Sequence, residues 1–180
     1  MLEVIALTVA DAKAAKAGGA DRIELVGTMN KDGLSPAISL VAEIQAQVEI
    51  PIRVMLRTEE AFASSDPERL IALAQAYSQL EVSGMVLGYL KDGKVDESLM
   101  RQLLAHIETE YTFHRAIDYA DNYTAAFADV TALGGNLTSI LTAGSAAGVG
   151  TNLEKLAAHA KLYKDLMLVG GDCANPTFRC

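Results

Sequence analysis

Short apolar runs alternate with longer amphipathic segments along the chain. The runs are rich in Val, Ile, Leu, Met and Phe and are bounded by polar residues or glycine, which is typical of buried strands. After the first run they recur at intervals of roughly 30 residues, the length of one strand–helix unit. The predicted strands are Leu2–Leu7, Arg22–Val26, Ile52–Leu56, Gly84–Leu87, Tyr111–Phe113, Ser139–Leu141 and Leu166–Val169.

The segments between the strands have the period and the start signals of helices. Ser35 and Asp66 each precede a proline, and Asp96 precedes an amphipathic stretch, so each is a candidate N-cap residue. Strands that are apolar throughout need cover on both faces, which favours parallel strands joined by helices. The pattern predicts an α/β fold, either a (β/α)8 barrel of the TIM type or an open doubly wound sheet.

A closed barrel needs one strand more than the seven predicted here. The final residues, 172–180, have no helical period, and Pro176 lies among them. We therefore expect one βα-barrel domain over residues 1–180, incomplete because its eighth strand–helix unit is missing, with an irregular tail at 172–180. The first and last strands would then expose their edges, which favours a homo-oligomer.

Charge and composition narrow the classes of partner. The formal net charge is −8, with 15 basic and 23 acidic side chains, which disfavours nucleic acid and anionic membranes. No apolar run reaches the ~18–20 residues of a membrane span, and the N-terminus lacks signal-peptide features, so we expect a cytoplasmic protein. Cys173 and Cys180 lie in the tail at a spacing that is not typical of zinc sites, and we expect reduced thiols.

Three polar side chains follow the strand Tyr111–Phe113. They are His114, Arg115 and Asp118. The carboxyl ends of parallel strands are where such folds bind ligands. His114 is a candidate general acid or base, or else a structural histidine of the barrel, and Arg115 is suited to clamping a carboxylate or phosphate. Either Asp118 or a glutamate sets the tautomer of His114, or Asp118 instead caps the following helix.

Two carboxylates lie on neighbouring predicted strands. If Glu3 and Glu24 point into the barrel, one of their pKa values should rise or an arginine should lie beside them, and Arg57 is the expected partner. A structural ion-pair network is the alternative to a catalytic role. Thr142 and Gly144 end another strand and are candidates to donate a hydroxyl and a backbone N–H to an oxyanion.

Taken together and in order, six stretches resemble the CutC family, whose members are often labelled copper homeostasis proteins. The similarity extends from Leu2 to about Gly171 and implies a (β/α)8 barrel. The stretches are GGADRIEL at 18–25, GLSP at 33–36, GMVLG at 84–88, DGKVD at 92–96, TFHRAID at 112–118 and LTAG at 141–144.

The resemblance implies copper(I) bound by cysteines that stand two residues after a glutamate on the first two strands. Here Ile5 follows Glu3 and Val26 follows Glu24. An alkyl side chain cannot ligate Cu(I), which prefers thiolates and thioethers. The family's Arg-Pro-Arg-Gly-Gly stretch after the third strand keeps only its first arginine, Arg57.

Three hypotheses for the function remain: copper homeostasis, as the family label implies; a barrel enzyme that uses acid–base chemistry on a small carboxylated or phosphorylated metabolite; and a non-catalytic barrel. The residues present suit the second better than Cu(I) chemistry, so copper(I) rests on the resemblance alone and no metal ligand is predicted. The candidate residues are Glu3, Glu24, Arg57, His114, Arg115 and Asp118 for catalysis, with Thr142 and Gly144 for ligand binding.

Overall fold

A single curled sheet of seven parallel strands dominates the computed structural model, which describes residues 1–29 and 33–170. The order across the sheet follows the chain, and each predicted strand is present to within two residues. The prediction of a TIM-barrel type of α/β fold is confirmed. The described strands are β1 (Glu3–Ala6), β2 (Arg22–Leu25), β3 (Ile52–Met55), β4 (Gly84–Leu87), β5 (Leu90–Lys91), β6 (Lys94–Val95), β7 (Glu110–Phe113), β8 (Leu137–Thr142) and β9 (Met167–Val169).

Helices connect the strands of the sheet. Asp66 and Asp96 cap the helices Pro67–Ser78 and Glu97–Leu104 with their carboxylates, as predicted, whereas the N-cap of the helix Ile38–Gln47 is Ala37 and not Ser35. The hydroxyl of Ser35 instead accepts a hydrogen bond from the backbone N–H of Arg57. The helices are α1 (Val9–Ala17), α2 (Ile38–Gln47), α3 (Pro67–Ser78), α4 (Glu97–Leu104), α5 (Tyr123–Leu133) and α6 (Leu153–Tyr163).

The two faces of the sheet have different environments because side chains alternate along each strand. On the outer face, residues such as Ile23, Val54 and Phe113 are buried in the main apolar core with the helices. The inner face carries polar side chains together with a smaller apolar cluster. This inner face contains the candidate chemistry.

A short antiparallel hairpin of β5 and β6 stands apart from the sheet, after β4. Its turn consists of Asp92 and Gly93, both with positive φ. In the described part of the chain, no helix has the length and apolarity to cross a bilayer. The predicted tail at 172–180 and its two cysteines lie outside the described residues.

Candidate functional site

The inner face of the sheet carries two polar groups at different heights. The first, here called the amino-end network, consists of Glu3, Arg22, Glu24, Arg53 and Glu110, near the amino ends of the strands. The second, here called the carboxyl-end site, follows the carboxyl ends of the strands. It consists of Arg57, His114, Arg115, Asp118, Thr142 and Gly144.

Two arginines that the sequence analysis did not single out hold the amino-end network together. Arg22 forms an ion pair with Glu3, and both side chains are almost fully buried. Arg53 is 1% exposed and forms an ion pair with Glu110. Arg22 and Arg53 thus take the place beside buried carboxyl groups that was predicted for Arg57. Alternation gives the signal that could have found Arg22, because it shares a face with Glu24.

Hydroxyl groups complete the network around Arg53. Its guanidinium donates to Thr112 Oγ1 at 2.5 Å and to Thr138 Oγ1 at 2.6 Å. Gly84, level with Arg53 on β4, leaves room for this side chain, since a Cβ there would lie 3.3 Å from Arg53 Nε. The arrangement fixes the guanidinium on several sides and is typical of a structural network.

Glu24 is buried among the charges of this network. Burial, the largest cause, and the nearby Glu3 carboxylate raise the pKa of Glu24 to about 8, although Arg22 and Arg53 offset part of the rise. A carboxyl group with this pKa is mostly protonated at neutral pH. The rise is the one expected for two carboxyl groups placed together in a barrel interior.

An apolar layer separates the two polar groups. It consists of Val26, Met55 and Val86, with Leu7 packed against it. His114 lies four residues beyond Glu110, which is on the order of 13 Å along a strand. Glu3 and Glu24 therefore do not meet His114 in one site, and the six predicted catalytic residues divide between the two ends of the sheet.

His114 directly follows β7 and caps the short 3-10 helix Arg115–Tyr119. Its Nδ1 accepts a hydrogen bond from the backbone N–H of Ala116 at 3.2 Å. Burial, the largest cause, and the positive charge of Arg57 together lower the pKa of His114 to about 3. The imidazole is therefore neutral at pH 7, and its proton is on Nε2 because Nδ1 is the acceptor. The backbone, not Asp118, sets this tautomer.

The Nε2 atom of His114 is buried and has no hydrogen-bond partner among the described residues. The opposite side of the ring is held by close backbone packing at Gly88. A Cβ on Gly88 would lie 2.8 Å from His114 Nδ1 and 3.0 Å from Phe113 Cε1. Glycine at this position therefore creates the space that the imidazole occupies.

Arg57 lies beside His114 and organises the loop that follows β3. Its guanidinium donates to the carbonyl oxygens of Gly33 at 3.2 Å, Ala61 at 3.4 Å and Glu60. It also lies 4.5 Å from the centroid of the Phe62 ring. This charge is 1% exposed, so it contributes a positive field to the carboxyl-end site from below the surface.

Asp118 connects the ends of β7 and β8. Its carboxylate accepts hydrogen bonds from Thr142 Oγ1 at 2.6 Å, the Ala143 N–H at 2.8 Å and Arg115 Nε at 3.0 Å. The helix α5 is capped by Asn122, so the prediction that Asp118 caps it is wrong. The hydrogen bonds instead give Asp118 a positioning role for Arg115.

Thr142 and Gly144 are engaged within the same group of hydrogen bonds. The Gly144 N–H donates to Thr142 Oγ1 at 2.9 Å, and the Tyr123 hydroxyl lies 2.8 Å from that oxygen. An oxyanion would have to displace these bonds in order to use either group. Arg115, whose side chain is 27% exposed, is more accessible than these two groups.

The carboxyl-end site is therefore suited to recognising an anion through neutral and charged donors. A neutral imidazole N–H, with two arginines nearby, can hydrogen-bond an oxygen and stabilise negative charge on it. With a pKa near 3, His114 is a poor proton acceptor at neutral pH. The geometry favours a hydrogen-bond donor over a general base.

The positions at which the resemblance implies copper(I) ligands do not fit that ion. Val26 packs in the apolar layer with Val86 and Met55, whose thioether is the only soft donor of that layer. Ile5 is 43% exposed and offers no donor atom. Across the described ranges, no group of three or more His, Cys, Asp or Glu side chains is placed to hold a metal ion. Cu(I) needs thiolates or several thioethers, and these positions supply neither.

A profile of the CutC family matches residues 1–175. The CutC family protein of Xanthomonas axonopodis pv. citri is 35% identical over 162 residues, a match that covers 87% of this chain and 67% of that protein. The human copper homeostasis protein cutC homolog is 34% identical over 152 residues, covering 80% of this chain and 54% of the human protein. The chain thus spans about two thirds of the first relative and about half of the second.

The solved structure of CutC from Streptococcus agalactiae is similar in fold. Its TM-score is 0.86 at 23% identity, and the match covers 95% of this chain and 87% of that one. An N-acetylneuraminate lyase from Mycoplasma synoviae, with a TM-score of 0.67 and 14% identity, is also similar in fold. Family profile, sequence relatives and fold agree, and the chain belongs to the CutC family.

Proposed function

We propose that this chain binds a small anionic metabolite, a carboxylate or a phosphate ester, at the carboxyl-end site. The observation that carries the proposal is the buried Nε2–H of His114, which has no partner among the described residues. A buried donor without an acceptor costs about 1–3 kcal/mol, and an oxygen of a ligand would remove that cost. The position is also the one at which barrels bind their ligands.

The charges around the site support an anionic ligand. Arg57 acts on His114 through its positive charge, and Arg115 lies one residue further along the chain. Asp118 accepts from the Nε of Arg115, which orients the rest of the guanidinium. An arginine held in this way binds carboxylates and phosphates well because its planar donors match their oxygens.

If the ligand is also turned over, His114 acts as a neutral electrophile. Its Nε2–H would donate to a carbonyl or phosphoryl oxygen and stabilise the negative charge that develops there. The amino-end network takes no part in this chemistry, because the apolar layer separates Glu3 and Glu24 from the site. Their role is to fill and stabilise the interior of the barrel.

Replacing Arg115 tests the proposal directly. Isothermal titration with inorganic phosphate and with acetate should show saturable binding, and Arg115→Ala should weaken it roughly tenfold because a charge-assisted contact is lost. Arg101→Ala is the matched control, since Arg101 forms an exposed ion pair with Glu97 on α4. Equal losses in both variants would mean that net charge, not this site, attracts the anion.

A relative in the same family is named a copper homeostasis protein, so copper homeostasis is a second candidate function for this chain. We propose that any such role does not use Cu(I) held at Ile5 and Val26, because neither side chain is a ligand. A competition titration with a Cu(I) chelator, comparing the intact chain with the Cys173→Ser/Cys180→Ser variant, tests this. Tight binding that survives in the variant would contradict it, whereas binding lost in the variant would place Cu(I) on the two cysteines.

A further inference from the structure

One aromatic side chain that packs against the His114 imidazole does not belong to a strand or helix. The Phe62 and His114 rings are 5.4 Å apart, centroid to centroid, in a T-shaped arrangement. Two other close neighbours of the imidazole, Phe113 and Gly88, lie in or directly after a strand. Phe62 is therefore the neighbour that can move without disturbing the sheet.

Phe62 lies in the connection between β3 and α3, at residues 58–65, here called the cover segment. These residues have no regular secondary structure. Phe62 itself is only partly buried, whereas His114 is 3% exposed. Phe62 thus contacts the imidazole and keeps part of its own surface exposed, as expected of a cover.

Phe62 is held by a backbone hydrogen bond and by contacts of its ring. The Phe62 carbonyl accepts a hydrogen bond from the Leu90 N–H at 2.7 Å, and the ring lies 4.8 Å from that of Tyr119 and packs against the main apolar core. Arg57 makes further attachments, to the carbonyl oxygens of Glu60 and Ala61 and to the face of the Phe62 ring. Arg57 is thus bonded to the cover segment and also lies near His114.

We infer that Phe62 is a mobile lid over His114 and that Arg57 is its latch. The inference rests on the proposed function, because the lid opens only if an anion bound at His114 also interacts with the Arg57 guanidinium. Such an anion competes with the Glu60 and Ala61 carbonyls, and with the Phe62 ring, for the guanidinium. Anion binding then weakens the attachments of the cover segment and favours its open position.

The chain contains no tryptophan, so Phe62→Trp places a single fluorescent reporter in the lid. Without ligand, its emission should be blue-shifted and protected from acrylamide. Adding inorganic phosphate or acetate should shift the emission to the red and remove the protection. In parallel, the imidazole resonances of His114 report whether the anion reaches the site.

The indole emission tests the lid, and the His114 resonances test the proposed function. If the anion shifts the His114 resonances and the indole emission does not change, the lid is refuted while the proposed function stands. If the anion does not reach His114 even in Phe62→Ala, the proposed function fails. In that case the lid is tested without ligand, by the exchange measurement described next.

The ligand-free measurement is the exchange of the His114 Nε2–H with water, followed by NMR. If Phe62 is a lid, this exchange should be at least tenfold faster in Phe62→Ala than in the wild type. The increase should be smaller in Phe62→Leu, because leucine keeps part of the cover. The matched control is Tyr163→Ala, which removes an aromatic ring stacked on His159 instead. Unchanged exchange in folded Phe62→Ala, or acceleration of the same size in Tyr163→Ala, would overturn the inference.

Discussion

Burial determines the protonation of two groups in the barrel, in opposite directions. Glu24 has a raised pKa and His114 a lowered one, and desolvation is the largest cause of both. Both side chains are therefore neutral at pH 7. For Glu24 this is consistent with a structural role among arginines, and for His114 it provides the N–H that the proposed ligand would accept.

The raised pKa of Glu24 predicts how stability changes with pH. The folded pKa of about 8 exceeds the reference value of 4.5, so the stabilising contribution is complete below pH 4.5 and is lost as the pH rises to about 8. Glu24→Gln cannot lose a proton. Its free energy of unfolding should exceed that of the wild type by an amount that grows with pH, reaching on the order of 4 kcal/mol above pH 8.

Urea denaturation at several pH values between 5 and 9 measures this difference. Glu43→Gln, which changes an exposed carboxylate on α2, is the control and should follow the wild-type profile. If Glu24→Gln is instead less stable at pH 7, and its profile parallels that of the wild type, Glu24 is ionised in the fold. Its pairing with Arg22 and Arg53 would then outweigh desolvation.

The sequence predicts some residues of the carboxyl-end site and of the amino-end network and misses others, for a physical reason. His114 and Asp118 follow a recognisable strand, and parallel strands bring their carboxyl ends together. Phe62 gives no local signal, because its importance comes from a contact with a residue far along the chain. Arg53 is similar, since its partners Thr112 and Thr138 are brought to it only when the sheet curls.

At the scale of elements, the ends of β7 and β8 are joined by one carboxylate. Asp118 accepts hydrogen bonds from Thr142, Ala143 and Arg115, so it holds the two loops and the Arg115 side chain in place.

The strands of the sheet form where the chain has apolar runs, and the sequence predicts their bounds within two residues. The β5–β6 hairpin is missing from that prediction because each strand has only two residues, although Asp92-Gly93 is a known turn signal.

Asp118→Asn should destabilise the protein by roughly 2–4 kcal/mol, because a neutral amide cannot accept all three hydrogen bonds and Arg115 loses its ion pair with the carboxylate. Thermal and urea denaturation measure the effect. Asp165→Asn, which changes an exposed carboxylate before β9, is the control and should alter stability little. If Asp118→Asn lowers the free energy of unfolding by less than about 0.5 kcal/mol, Asp118 does not stabilise the two loops as described.

At the scale of the whole molecule, β1 and β9 form the two edges of the seven-stranded sheet. Ile5 on β1 is 43% exposed and Val169 on β9 is 51% exposed. Unpaired strand edges with apolar side chains favour pairing with another chain. Among the described residues these two edges have no strand partner, and we propose that the chain self-associates through them.

Sedimentation velocity over a range of concentrations should show reversible oligomers, and Ile5→Lys should shift the population towards monomer because a charge disfavours edge pairing. Leu162→Lys is the matched control, since Leu162 is 74% exposed on α6 and is not part of a strand. A monomer at every concentration, or an equal response to both substitutions, would contradict association through the edges.

The central claim is that His114 is a neutral hydrogen-bond donor to an anionic ligand. The most direct measurement is an NMR titration of the imidazole resonances at pH 7 with inorganic phosphate and with acetate. The chain has three histidines, so His106 and His159 are internal controls. We expect a saturable shift of the His114 Nε2–H alone, with the Nε2-protonated tautomer kept. A protonated His114 at pH 7, or resonances that no anion changes, would contradict the account.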